Sequence, residues 1–274
     1  MAAVLALLAA GLFGGADFLG GVATKKASAW SVTLLAHGVG AVLVLGVQAV
    51  IGGAWSREAV IWGIVGGFAG TLGLVLLLDA LARGQFQLIS PLSALTGTIV
   101  PVAVGLLRSE SPSTLGWVGL TIALPAVWLL TGGATATRPT EVRPLVQAVL
   151  AGLGFGLFFV ALAQTPDGAG AVPLVAARLS SVPFLAVVAA ITTGPVLPRT
   201  GRVHAAGSGM LDMTANGLFL LATRTGQLAV IGALVALYPA SNALLARTFL
   251  GERLLGSQKL GFALTIAAAA LLSR

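Results

Sequence analysis

Nine short polar joints cut this chain into ten apolar runs, and the length of those runs restricts the fold more than any motif does. A helix needs about 20 mostly apolar residues to cross a hydrocarbon core. The runs are 2–22, 30–52, 59–81, 87–107, 115–132, 145–164, 172–193, 204–222, 227–249 and 257–272. The joints read KKASA, SRE, RGQ, RSESPS, TRPTEVRP, PDGAG, LPRTGR, TRTG and GERLLG, all too short to hold a soluble domain. Only 8% of the 274 residues are charged, 57% are hydrophobic, and the mean hydropathy is +1.02. A soluble domain carries about 25% charge, so this chain cannot cover a water-facing surface. It reads as an all-α, multi-pass integral membrane protein. A β-barrel is excluded because the runs are continuous rather than alternating ten-residue strands.

The net charge of +7 does not indicate nucleic acid. The cations stand singly or in pairs between apolar runs, as flanks of membrane spans, and form no basic face. There is no Cys, which removes thiolate chemistry. The N-terminal run lacks a basic leader and contains Asp17, so it reads as the first span rather than a signal peptide.

Glycine recurs inside the spans at helical spacing, as at Gly63, Gly66, Gly67 and Gly70. Small residues so placed let helix backbones approach closely in lipid. Pro91, Pro101, Pro125, Pro183 and Pro239 fall inside spans and predict kinks.

A shift of 142 residues lays the chain on itself. Gly84-Gln85 falls on Gly226-Gln227, Glu110 on Glu252, Gly119 on Gly261 and Phe13-Gly14 on Phe155-Gly156. Over 84–130 against 226–272, 11 of 47 positions are identical without a gap. This composition would give roughly half that by chance, so the shared register of the joints carries more weight than the count. Two repeats follow, 1–133 and 144–274, with 134–143 connecting them. Each has five spans. Five is odd, so the second copy enters the membrane from the opposite side, and the repeats are inverted. Many secondary transporters are built this way, with the substrate site near the midplane between the halves.

The segment LYPASNALLARTFLGERLLGSQKLGFALTIAAAALL resembles the end of the second repeat of EamA-type transporters, in the drug/metabolite transporter superfamily. Those end in a Pro-containing helix, a Gly-Glu-Arg joint, then a Gln and a Gly in the last helix. Pro239, Gly251-Glu252-Arg253, Gln258 and Gly261 match. In the first half Ser109-Glu110-Ser111 stands for Gly-Glu-Arg, and Gly97 stands for the Pro. The opening FGGADFLGGVATKK is similar to the family's first helix, with Phe13 in place of Trp and Asp17 as an extra charge. The resemblance covers nearly the whole chain. It implies ten transmembrane helices as two inverted five-helix repeats, transport of small polar metabolites or drugs, and the plasma (inner) membrane of a bacterium.

The Gly-Glu-Arg joint reads as a tight turn at the membrane surface. Gly251 permits a left-handed residue at a helix end. Glu252 can accept hydrogen bonds from exposed amides, and Ser257 can cap the last helix.

Charges at membrane depth are expensive and usually face the bundle interior. Asp212 suits proton coupling or contact with a cationic substrate, and its structural alternative is a buried partner for Arg178 or a helix dipole. Asn216 lies one turn further on the same face. Asp17 is either a polar contact in the cavity or a capping acid. His37 is either a proton relay or a neutral imidazole bonded to a backbone carbonyl. Arg178 can bind a carboxylate or pair with a helix terminus; the family often has an Arg there. Asp79 reads as an interfacial i,i+4 pair with Arg83. Trp62, Trp117, Trp128 and Tyr238 read as belt or packing residues. Counted along alternating spans, three carboxylates and His37 fall towards one side of the membrane and Arg178 towards the other.

Four Lys or Arg flank the side of the N-terminus (side A) and ten flank the opposite side (side B). The count puts both termini outside. Ten-helix members of the family are usually drawn with both termini inside, and orientation stays open.

The functional expectation is a secondary transporter, an exporter or exchanger of a small-molecule substrate, without cofactor or bound metal. A flippase for lipid-linked substrates and a non-transporting assembly protein are the alternatives. No HExxH, nucleophile–base pair or Walker A motif is present, which argues against an enzyme. A homodimer is compatible with the sequence.

Overall fold

A computed structural model describes residues 1–25, 27–83, 86–130, 141–191, 197–250 and 255–273. Among these residues there is no strand. The helices are α1 (Ala2–Thr24), α2 (Ala29–Ile51), α3 (Arg57–Arg83), α4 (Phe86–Leu107) and α5 (Thr114–Leu130). They continue as α6 (Val142–Ala163), α7 (Val172–Ile191), α8 (Arg199–Thr223), α9 (Leu228–Val235), α10 (Pro239–Leu250) and α11 (Gly256–Leu272). Seven segments are long and apolar enough to cross a membrane, one of them α9 and α10 taken together. Helices α5 and α11 are apolar but have 17 residues each. Helix α8 has the length but is too polar to be counted, since it carries Arg202, His204, Asp212 and Asn216. The ten expected runs therefore all appear as helix, but three fall short of a plain apolar span.

One expected span is not a single helix. The chain leaves helix at Ala236–Tyr238 and resumes at Pro239, which has no N–H to give and suits a first helical turn. The first-repeat position for Pro239 is Gly97, and α4 runs through it unbroken.

The halves interlock. Helix α3 packs along α6 and α8 along α1; α3 also meets α7, and α8 meets α2. Helices α2 and α7 pair with each other, as do α5 and α11. Exchanging α1–α5 with α6–α11 leaves this pattern unchanged. Glycines make the approaches. A Cβ on Gly67 would lie 2.6 Å from Cα of Ala177, and one on Gly209 would lie 2.1 Å from O of Ala36. Gly67 and Gly209 are 142 residues apart. Hydroxyls within the bundle mostly bond to their own helix, as Thr71 does to Gly67 O (2.6 Å) and Thr98 to Ala94 O (2.7 Å).

Side A is tied by polar contacts between the halves. Ala54 N donates to Gly168 O (2.9 Å) and Ala171 N to Gln48 Oε1 (3.0 Å). Arg108 bonds Gln164 across the halves, and within the second half Arg224 bonds Thr165 and Asp167. Partial burial pushes the Arg224 guanidinium below its ordinary value, and Asp167 opposes the shift. Glu110 accepts from Leu228 N (3.1 Å) and Ala229 N (2.9 Å), capping α9. Ser109 holds φ 61°, the left-handed turn that glycine favours.

The Gly251-Glu252-Arg253 joint lies outside the described residues. Its first-repeat counterpart, Glu110, does take up free amides, in the opposite half. Ser257 is not the cap of α11. The helix starts at Gly256, and Gln258 Oε1 accepts from Leu255 N (2.9 Å) while its Nε2 donates to Leu130 O (3.1 Å). Gln258 thus ties α11 to the end of α5, where a Cβ on Gly261 would be 2.9 Å from Leu130 N.

Two substitutions in α8 separate packing from propensity. Gly209→Ala is expected to destabilise by about 1–3 kcal/mol through overpacking against α2. Gly217→Ala meets nothing within 4 Å and is expected to be neutral or stabilising. Thermal unfolding of the two variants in detergent checks the contrast.

Candidate functional site

All five residues expected at a site line one cavity near the middle of the bundle: Asp17, His37, Arg178, Asp212 and Asn216. Its volume is about 50 Å³, space for a few waters. Asp17 comes from α1 and His37 from α2, whereas Arg178 belongs to α7 and Asp212 and Asn216 to α8.

Arg178 is the hub. Its Nη2 donates to Asp212 Oδ2 at 2.5 Å, and Asn216 Nδ2 donates to the same oxygen at 3.1 Å. Nη1 lies 3.2 Å from His37 Nε2 and 3.5 Å from Nδ1. His37 Nδ1 is 3.0 Å from Ser181 Oγ, and Ser181 Oγ faces Arg178 O at 3.5 Å. A consistent proton assignment follows: Nδ1–H donates to Ser181, and Nε2 accepts from Arg178. Placing Arg178 towards side A, away from the acids, is corrected here. Its Cα does lie early in α7, but the long side chain spans the gap to α2 and α8. His37 is corrected too, since its partner is a serine hydroxyl and not a backbone carbonyl.

Asp17 stands apart from this network. It is 8% exposed, lies inside α1 rather than at its end, and makes no hydrogen bond or ion pair among the described residues. It shares the cavity with Asp212.

Sequence reasoning missed Tyr238. It is buried, lines the cavity at the break between α9 and α10, and donates to Ser90 O at 3.1 Å. It is therefore not a belt residue. Trp62, Trp117 and Trp128 are exposed on the bundle surface, as expected of a belt. Phe13, Phe155, Phe158 and Phe159 were also missed as cavity walls. Asp79 does pair with Arg83 in two hydrogen bonds, 3.0 and 3.1 Å, and accepts from Gln147 at 2.8 Å, away from the cavity.

The 142-residue shift could have found the walls. Phe13 and Phe155 are related by it, and both line the cavity. So are Ser93 and Val235, and Ala94 and Ala236. Three more pairs differ in chemistry: Asp17 with Phe159, Asp212 with Gly70, and Asn216 with Leu74. Each polar member corresponds under the shift to an apolar or small residue.

Long apolar helices around a cavity with buried charges define a multi-pass membrane protein. Residues 143–274 match the model of the EamA-like transporter family. A solved structure described as "Crystal structure of protein" shares the fold over 98% of this chain and 95% of its own. Its TM-score is 0.75 and its identity 18%. No curated protein matches the chain.

The ion pair gives a test. Asp212→Leu alone leaves a buried guanidinium without its counter-ion and is expected to cost about 3–5 kcal/mol. Arg178→Met with Asp212→Leu is expected to cost much less than the sum of the two single changes. A double-mutant cycle by thermal unfolding reads the coupling.

Proposed function

We propose that this protein is a secondary transporter of small polar metabolites or drugs, an exporter or exchanger. In this reading residues 1–133 and 144–274 are inverted five-helix repeats that rock around the central cavity. One observation carries it: the cavity is walled by residues paired under the 142-residue shift, and its charged groups come from both halves. A site built jointly by two bodies changes shape when the bodies move against each other, which alternating access requires. The interchangeable packing of the halves supports the repeat symmetry. The plasma membrane of a bacterium is the proposed location.

Proton coupling is part of the proposal. Two carboxylates in one cavity, Asp17 and Asp212, can trade a proton against a solute. A lipid-linked flippase would need a free basic pocket for phosphate, and Arg178 is already engaged by Asp212. No observation favours an assembly role.

The test uses proteoliposomes loaded with a pH-sensitive dye and challenged with amino acids, sugars and amines. Wild type is expected to move one class with a pH change inside. The Asp17→Asn/Asp212→Asn pair is expected to lose the pH change. Solute movement with no pH change would leave a facilitator or exchanger. Movement no faster than in empty liposomes for every class would sink the transporter reading.

A further inference from the structure

We propose that Glu110 is a latch between the two halves of the chain, and that its release governs opening of the cavity to side A. This rests on the transport reading above and names a residue that regulates access to the same site.

The way from the cavity to side A is closed by a seam between α4 and α9. Gly97 of α4 and Val235 of α9 line the cavity. Beyond them, towards side A, the two helices run antiparallel and in close contact. A Cβ on Gly232 would lie 2.8 Å from Cγ of Pro101, and one on Gly105 would lie 2.9 Å from Cβ of Ala229. Pro101, Gly105, Ala229 and Gly232 are all buried. Neither 97–107 nor 228–235 carries a charge, so packing of small residues seals the seam along its length. Glu110 stands at its outer end.

Helix α9 has no cap of its own. Gln227, at its start, makes no side-chain capping bond, and its amide is spent on Ser111 O at 3.2 Å. The free amides of α9 are taken up by the other half. Glu110 accepts from Leu228 N through Oε1 (3.1 Å) and from Ala229 N through Oε2 (2.9 Å). The joint after α4 is shaped for this. Ser109 makes the left-handed turn, and Glu110 N donates back to Gly105 O at 3.1 Å. Gly105 leaves room for the carboxylate, since a Cβ there would lie 2.5 Å from Oε2. A carboxylate on the positive end of a helix makes charge-assisted hydrogen bonds.

Such a contact holds one state and releases in another. A cap supplied by the helix's own chain would travel with it, whereas this one is lost whenever α4 and α9 part. Glu110 is half-buried and Gln227 is exposed, so carboxylate and amides hydrate on release and the bond is not prohibitive to break. Helix α9 runs from the latch to the cavity wall at Val235, so a displaced N-terminus carries the wall with it.

The reporter is the full chain with Ala94→Cys on the cavity wall, labelled by a membrane-impermeant maleimide in vesicles of each orientation. Adding Glu110→Gln is expected to raise the initial labelling rate from side A roughly ten-fold and to lower it from side B. Gln227→Ala is expected to shift the ratio the same way by less. Arg224→Ala removes side-A contacts that lie within the second half and is expected to leave the ratio unchanged. A ratio that Glu110→Gln does not move overturns the latch. So does a rise that is equal from both sides, as loosened packing would give. If Glu110→Gln is lost in purification, Gln227→Ala decides by the same two readings. The parent reporter separates the latch from the transport reading. Labelling of the parent from both faces, with a ratio unmoved by Glu110→Gln, overturns the latch and leaves alternating access. Labelling of the parent from side B alone, with side A gained in Glu110→Gln, supports the latch and contradicts alternating access in the native chain.

Discussion

In lipid a helix gains nothing hydrophobic by leaving its solvent for another helix, so this bundle depends on how closely its backbones can approach. Gly67 against Ala177 and Gly209 against Ala36 are the decisive contacts. They draw α3 onto α7 and α8 onto α2. Gly40 of α2 lies beside Arg178, and Gly152 of α6 is so near Ser93 O that a Cβ would come within 2.3 Å. These approaches bring α2, α7 and α8 within reach of one arginine side chain. Without them Arg178, His37 and Asp212 would be isolated charges or dipoles in hydrocarbon, each unaffordable alone.

The cavity is symmetric in its scaffold and asymmetric in its chemistry. Positions paired by the 142-residue shift line the cavity, yet Asp212 and Asn216 stand where the first half has Gly70 and Leu74, and Asp17 stands where the second half has Phe159. The break before Pro239 adds to the asymmetry. It exposes Tyr238 to the cavity, whereas α4 stays helical through Gly97.

Much of this was legible in the sequence. Apolar length located the seven long apolar segments, because the bilayer imposes one dimension on them, whereas α5 and α11 are shorter, α8 is more polar, and the run 227–249 is two helices. The five cavity residues stood out because polar groups are rare in such runs. Side-chain reach was not legible. Depth along α7 put Arg178 on the wrong side, since a residue's Cα says little about where a guanidinium ends. Tyr238 was hidden because belt and cavity tyrosines look alike until Ser90 O supplies the partner. Ser257 satisfies a rule of local capping, but Gln258 serves α11 and α5 together, a tertiary contact that no local rule contains. Pro239 signalled a kink, and a three-residue break was beyond that signal.

The central claim is that the cavity is reached in turn from both faces of the membrane. The chain has no cysteine, so a single Ala94→Cys on the cavity wall is a clean reporter. A membrane-impermeant maleimide is applied to vesicles of each orientation. Labelling of Cys at position 94 from either face is the result expected. Labelling from one face only, or from neither, would contradict alternating access.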